Sequence, residues 1–234
     1  MRNAKVQIIQ VPYDSGNRSI RMGNGAEYFV NNGLAEVLQA EGYDVGIETI
    51  ESNAKFRAEI QTQFELYRQL AERCRSAREN DSFPLVLSGN CGATLGAIAG
   101  AKRLGVIWFD AHGDFNTPET TRSGFLDGMG LAISAGLCWK HLASSIPNFS
   151  PLPGKNILHV GGHDFDAEER KLFEQAEATV VDAAAINQTD VRDALSSPIQ
   201  NFQRNVETVH LHIDLDVHNQ GKHPRTNMLP NKTD

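Results

Sequence analysis

Short apolar segments rich in β-branched residues alternate with longer amphipathic segments along the chain. The pattern predicts strands at residues 6–11, 45–50, 84–87, 106–109, 157–160, 179–181 and 209–213. It predicts helices at residues 26–41, 56–78, 93–103, 168–178 and 191–195. Strands that alternate with helices and are too apolar to face water are typical of βαβ units. We therefore predict an α/β fold with a parallel sheet.

Nothing in the sequence divides the chain, since it has no internal repeat, low-complexity segment or Pro/Gly/Ser-rich linker. We predict one domain over residues 1–234, which is long enough to bury a substantial core.

Composition narrows the class of protein. With 40% apolar and 22% charged residues, the chain is typical of a soluble globular protein. Its formal net charge of −7 argues against nucleic acid or an anionic membrane as partner. No apolar run approaches the roughly 18 residues that span a bilayer, and the N-terminus lacks a signal-peptide pattern. Cys74, Cys91 and Cys138 lack metal-finger spacing and favour reduced thiols, so we predict a cytoplasmic protein.

Four predicted strands end in polar residues of ligand-binding types. The segments are SGNCG at residues 88–92, DAHGD at 110–114, GGHDFD at 161–166 and DLD at 214–216. In an open parallel sheet, ligands bind beyond the carboxyl ends of the strands. We therefore expect the functional site at these strand ends.

The segments at residues 110–114 and 214–216 carry the chemistry of a metal site. Alternate residues of extended backbone point to the same side, so Asp110, His112 and Asp114 can converge, as can Asp214 and Asp216. Four carboxylates with one imidazole suit Mn²⁺, with Fe²⁺, Co²⁺ or Zn²⁺ as competitors. Because the carboxylates would repel one another, a pair of cations is the natural solution. In the alternative interpretation, Asp110 or Asp214 caps a following helix and His112 is merely buried and hydrogen-bonded.

A family resemblance rests on two motifs. The segment WFDAHGDFNTP at residues 108–118 resembles the signature of the arginase family of manganese ureohydrolases, and HIDLDV at 212–217 is similar to its later metal motif. The resemblance extends over nearly the whole chain, including the Gly-rich turn at residues 21–25. It implies a three-layer α/β/α fold with a central parallel sheet, two Mn²⁺ ions per chain and a homo-oligomer.

The resemblance also implies roles for the metal ligands. Asp110 and Asp214 would bridge the two ions. Asp114 would complete one ion's site, and His112 with Asp216 the other. A bridging water, acidified by both cations, would attack the guanidinium carbon of a substrate such as L-arginine and release urea. This route makes Asp114 a catalytic residue as well as a ligand.

Substrate contacts are implied by position in the same way. Asn116 and Ser123 would hold an α-carboxylate, and Asp166, with Glu169, an α-amino group. Amide and hydroxyl donors suit a carboxylate, and carboxylates suit an ammonium. The alternative is that these are ordinary loop residues.

The chain departs from the family pattern at two site positions. Cys91 stands where arginases usually place a histidine ligand. It is either a ligand that favours Zn²⁺ or iron over Mn²⁺, or a small buried residue beside a weakened site. Asp127 stands where arginases carry a proton-shuttling histidine, and it could serve as the shuttle only with a raised pKa.

A third departure follows Asp216. The family continues there with further elements that include a substrate-binding carboxylate, whereas this chain ends in a polar segment at residues 217–234. We expect the family's C-terminal portion to be lacking, and the strand at 209–213 to expose apolar side chains.

Three function hypotheses follow. The first is a metal-dependent hydrolase of a guanidino compound, and the second is a catalytically impaired arginase-like protein with a binding or structural role. The third, a nucleotide-binding protein, is disfavoured because no strand ends in a Gly-x-Gly-x-x-Gly turn. Near the motifs, His163 and His212 are expected to be buried hydrogen-bonded residues, and Trp108 is expected to pack in the core.

Overall fold

A computed structural model describes residues 4–53, 58–188 and 190–218. The chain divides into two compact units, Met1–Gly100 with Lys140–Ser150 and Ala101–Trp139 with Pro151–Asp234. That residues 1–234 form a single domain stays a prediction.

The described residues form nine strands and nine α-helices. The strands are β1 (Lys5–Val11), β2 (Tyr13–Asp14), β3 (Asn17–Arg18), β4 (Asp44–Thr49), β5 (Ser82–Ser88), β6 (Leu104–Phe109), β7 (Ile157–Val160), β8 (Thr179–Val181) and β9 (Thr208–Ile213). The helices are α1 (Asn24–Asn31), α2 (Leu34–Ala40), α3 (Glu59–Glu79), α4 (Thr94–Ile98), α5 (Gly130–Ser134), α6 (Lys140–Ala143), α7 (Ala167–Gln175), α8 (Ala183–Gln188) and α9 (Val191–Gln203).

The first unit is built on a parallel sheet of order β4-β1-β5. Its central strand is apolar on both faces, and Ile8 and Ile9 are completely buried. Val6 and Ile8 pack with Ala35 of α2 in one core cluster. Helix α3 buries a long apolar face and contacts β1 and β5. A central strand covered on both faces explains why β1 carries apolar residues at both alternations, Val6 and Ile8 on one side and Ile9 and Val11 on the other.

The second unit is built on a parallel sheet of order β8-β7-β6-β9. Leu158, Val160 and Val181 form its core with Phe202 of α9. Strand β9 pairs with β6, and its described apolar side chains stay open to solvent: Val209 is 48% exposed, and Leu211 and Ile213 are each 54% exposed. The expected exposure of this strand is therefore confirmed.

The predicted α/β class is confirmed, and every predicted strand is present within two residues of its predicted bounds. The helices differ more. The predicted helix at 26–41 is split into α1 and α2 by Gly33, whose φ of 93° lies in the left-handed region. The helix predicted at 93–103 ends at Ile98, shortly before the left-handed Gly100.

Some predictions fall on residues outside the described ones. They are the start of the helix predicted at 56–78 and nearly all of the C-terminal segment, residues 219–234. Within the described part of the chain, no helix is both long and apolar enough to span a membrane.

Candidate metal centre

The carboxyl ends of β6 and β9 lie level because the two strands are parallel and in register, with Phe109 opposite Ile213. Asp110 and Asp214 are the next residues of their strands. The Asp214 amide donates to the Phe109 carbonyl at 2.8 Å, which continues the ladder by one step. The register alone therefore delivers two aspartates to the same edge of the sheet.

The segment after β6 is not the continuous strand that alternate spacing predicts: the chain bends at Ala111, and His112 forms an isolated parallel bridge with Asp164. The strand ends at Phe109, and the amide of His112 turns back to donate to Asp110 Oδ1 at 2.8 Å. Asp114 has a φ of 50°, a conformation that Asp tolerates better than most residues. His112 therefore reaches Asp110 through a turn of the backbone.

Asp110, His112 and Asp216 form a group that could hold a metal ion, with one ligand atom from each lying within 4.8 Å of the others. His112 Nδ1 lies 3.0 Å from Asp216 Oδ2 and 3.5 Å from Asp110 Oδ1. Asp110 is 1% exposed and Asp216 is 7% exposed, whereas about half of the His112 side chain is open to solvent. Solvent can thus reach the group from the histidine side.

The carboxylates around His112 control its charge. Hydrogen bonding to Asp110, together with the charges of Asp110, Asp114 and Asp164, raises the pKa of His112 to about 9 against the effect of burial. In the metal-free protein His112 is therefore protonated at neutral pH. The proton supplies one positive charge to a set of acidic groups, and a divalent ion would supply two.

Asp214 caps the short 3-10 turn Leu215–Val217, and its Oδ1 accepts the amide of Asp216 at 2.7 Å. The capping role considered as the alternative interpretation is therefore present. It uses one carboxylate oxygen and leaves the second for other contacts. The roles of Asp110, His112, Asp114, Asp214 and Asp216 as ligands stay predictions.

Three comparisons with known proteins agree on the relatives of this chain. The model of the arginase family matches residues 4–227. The arginase of Brevibacillus brevis is 31% identical over 232 residues, covering 92% of this chain and 76% of that arginase. The chain belongs to the arginase family.

Solved structures give the same result for the fold. The arginase of Bacillus caldovelox matches with a TM-score of 0.85 and 27% identity, over 96% of this chain and 79% of that one. The arginase of Entamoeba histolytica, solved in complex with L-ornithine, matches with a TM-score of 0.78 and 25% identity, over 92% of this chain and 76% of that one. The predicted arginase-like three-layer α/β/α fold is thereby confirmed.

The substrate residues predicted for this arginase-family chain lie in the loop after the metal motif, with Asn116 and Ser123, and at the start of α7, with Asp166 and Glu169. Asn116 Nδ2 donates to Asp166 Oδ2 at 3.4 Å, so two of these residues lie together. Arg122 Nε lies 3.6 Å from Asp166 Oδ1. Ser123 is exposed, and its hydroxyl accepts the amide of Phe125 at 3.1 Å. The assignment of these residues to substrate binding stays a prediction.

Glu169 is almost completely buried, at 3% exposure, and both of its oxygens accept backbone amides. Oε1 accepts from Phe115 at 2.8 Å, and Oε2 accepts from Asp166 at 3.3 Å as part of a capping box at the start of α7. Burial raises the pKa of this carboxyl. Glu169 thus joins the metal-motif loop to α7, and its predicted contact with substrate is not tested by these bonds.

Replacing Glu169 with alanine is expected to lower the free energy of unfolding by about 2 to 4 kcal/mol, because one buried and one partly buried amide would lose their acceptor. Urea unfolding of the metal-free protein measures this. Glu168→Ala is the matched control, since that exposed side chain only pairs with Lys171, and it should change stability by less than about 0.5 kcal/mol. Equal stability of the two variants would contradict the structural role.

Cys91 and Asp127, the two site positions that depart from the family pattern, both begin short 3-10 turns. Cys91 is half-buried and follows β5 in the first unit, and Asp127 is half-buried in the second unit. Their predicted roles, as metal ligand and proton shuttle, stay predictions.

Two contacts to the metal motif were not predicted from the sequence. The Trp108 indole Nε1 donates to Asp110 Oδ2 at 3.1 Å, so this residue does more than pack. His159, buried in β7, has its Nε2 2.6 Å from the carbonyl oxygen of His112. A signal existed for Trp108, because it lies two residues before Asp110 on a strand and shares its side.

Proposed function

We propose that this chain is a metal-dependent ureohydrolase that hydrolyses a linear C–N bond of a guanidino compound such as L-arginine and releases urea. The observation that supports it most is the group of Asp110, His112 and Asp216 at adjacent strand ends in a chain of the arginase family. We propose two Mn²⁺ ions per chain, held by Asp110, His112, Asp114, Asp214 and Asp216, with Cys91 as the sixth candidate ligand.

The residues fit a divalent cation. Asp110, Asp114 and Asp216 are each at most 7% exposed, and buried anions need a nearby positive charge. In the metal-free protein the proton on His112 supplies only one such charge. Carboxylate oxygens with one imidazole nitrogen form the hard donor set that suits Mn²⁺. When bound, the two metal ions would supply Lewis acidity and lower the pKa of water at the site.

The chain's own residues would bind and orient the substrate. Asn116 and Ser123 offer donors to a carboxylate, and Asp166 offers an acceptor to an ammonium. The likeness to an arginase solved with L-ornithine supports a small amino-acid ligand. An ammonium at Asp166 would compete with Arg122, whose guanidinium is the nearby cation in this structure. We propose Asp127 as the group that carries the proton to the departing amine.

The second candidate is an arginase-like protein that binds a ligand or metal without turnover. Glu169 favours it, because this carboxylate is 3% exposed and both of its oxygens already accept backbone amides, which gives it a structural role. Cys91 and Asp127 favour it as well, because they replace residues that arginases use for ligation and proton transfer.

Urea release from the Mn²⁺-loaded protein tests the proposal. We expect two Mn²⁺ per chain and release of urea from L-arginine, agmatine or 4-guanidinobutyrate, with activity lost on chelation and restored by Mn²⁺. Elemental analysis of the same sample gives the metal content. At most one ion per chain and no urea from any of these compounds would support the second candidate, and a chain that binds no metal would exclude the proposed hydrolase.

A further inference from the structure

His212 lies beside the metal motif on β9, directly opposite Trp108 in the parallel register. Its imidazole stacks on the Trp108 indole, with ring centroids 3.6 Å apart and planes at 12°. The Nε2 atom of His212 is buried. The position of the imidazole is therefore set by the sheet and by a large, fully buried aromatic ring.

Trp108 contacts Asp110 as well, because its indole N–H donates to Asp110 Oδ2. One indole thus fixes both an imidazole and a carboxylate. A ring nitrogen of His212 and a carboxylate oxygen of Asp110 lie within 4.8 Å of each other. Two ligand atoms bound at about 2.1 Å to one ion are at most about 4.2 Å apart, so a small movement brings these two within reach of a shared ion.

The His212 ring offers nitrogen atoms close to a buried carboxylate. Its Nε2 atom is buried, and one ring nitrogen lies within 4.8 Å of an Asp110 oxygen. Imidazole nitrogens are common ligands of divalent metal ions. Any aromatic ring at position 212 could stack on Trp108. The imidazole of His212 also has nitrogens beside Asp110, which can bind a cation.

We propose that His212 is a ligand of a second metal ion, which shares Asp110 with the ion held by His112 and Asp216. The inference rests on the metal centre of the proposed function and adds to it a residue outside the ligand set predicted from the sequence. Asp110 then has an imidazole on each side, His112 from its own loop and His212 from β9. The second ion gains a nitrogen ligand whatever the role of Cys91, which favours Mn²⁺, Fe²⁺ or Co²⁺ over a thiolate-selected ion.

Metal stoichiometry and pulsed EPR of the Mn²⁺-loaded full chain test this inference. With ¹⁵N-histidine labelling, we expect two Mn²⁺ per chain and two imidazole nitrogens directly coupled to manganese. His212→Phe keeps a ring to stack on Trp108 and removes both nitrogens. We expect this variant to bind its second Mn²⁺ at least about 100-fold more weakly and to show one coupled nitrogen.

His163→Ala is the matched control, since His163 is an exposed histidine of the same unit whose Nδ1 lies 3.3 Å from the Gly161 carbonyl. It should keep both ions and both coupled nitrogens. If His212→Phe fails to fold, the number of coupled imidazole nitrogens in the labelled wild-type chain still tests the role of His212.

The outcomes separate this inference from the proposed function. Two Mn²⁺ per chain with one coupled imidazole nitrogen, or unchanged affinity in a folded His212→Phe chain, would overturn the role of His212 and leave the proposed function standing. A wild-type chain that binds no Mn²⁺ would overturn both.

Discussion

Asp110→Asn is expected to weaken Mn²⁺ binding by more than about 100-fold and to abolish urea release in proportion, while the protein stays folded. Asp110 is 1% exposed and contacts the Trp108 indole, the His112 amide and the His112 imidazole. Asparagine keeps the shape and one acceptor oxygen and removes the charge. Calorimetric titration with Mn²⁺ and a urea assay measure the two losses.

The same variant should change the titration of His112. Its contact with Asp110 is the main cause of the raised pKa of His112, so NMR of the metal-free variant should show that pKa fall from about 9 toward 6.5. Asp164→Asn is the control, because Asp164 is 79% exposed and lies 4.0 Å from His112 Nε2. Mn²⁺ affinity equal to wild type in Asp110→Asn would show that this carboxylate is not a ligand.

The strands were predictable because buried parallel strands are short, apolar on both faces and rich in β-branched residues. The helix boundaries were harder to predict from the sequence, because the ends of a helix depend on backbone conformation. Gly33 takes a left-handed φ and divides α1 from α2, yet a glycine inside a helical pattern does not reveal which conformation it will take. Tertiary context, which the local pattern does not contain, decides such boundaries.

The candidate metal centre was predictable in its residues more than in its geometry. Asp110 and Asp216 could be placed because strand ends of a parallel sheet gather at one edge. The turn that brings His112 back to Asp110 depends on an amide-to-carboxylate bond and on the positive φ of Asp114. Alternate spacing predicted convergence by an extended backbone, and the observed path differs because the strand ends at Phe109.

The contacts of His159 and His212 could not be predicted, because a histidine in an apolar strand reads as a buried core residue. Whether its nitrogens face a ligand loop depends on register and on the neighbouring strand. His159 lies opposite Trp108 on one side of β6, and His212 lies opposite Trp108 on the other. Both assignments need the paired sheet, which the sequence does not specify residue by residue.

His159→Leu is expected to weaken Mn²⁺ binding by about 10- to 100-fold without a comparable loss of stability at pH 7. His159 is completely buried, and its Nε2–H donates to the His112 carbonyl at 2.6 Å, which fixes the loop that carries the candidate ligand. Its Nδ1 has no hydrogen-bond partner among the described residues and lies among Phe165 and Phe173. Leucine would remove a buried, unsatisfied nitrogen along with a useful donor, so the two effects on stability oppose each other.

The titration of His159 gives the same variant a second readout. Burial lowers the pKa of His159 to about 4, while the unfolded chain titrates near 6.5. Between these values the unfolded state binds more protons than the folded state, so stability falls as the pH drops from 6.5 to 4. The loss approaches about 3 kcal/mol below pH 4, and it is absent above pH 6.5. His159→Leu should lack this part of the acid sensitivity.

His159→Gln separates the two effects. Glutamine does not titrate, so like leucine it should remove this contribution to acid sensitivity, yet its amide can still donate to the His112 carbonyl. We therefore expect Mn²⁺ affinity near wild type in His159→Gln and weak affinity in His159→Leu, with the same flattened dependence of stability on pH in both. Equal loss of affinity in both variants would mean that shape, rather than the donated hydrogen bond, holds the His112 loop in place.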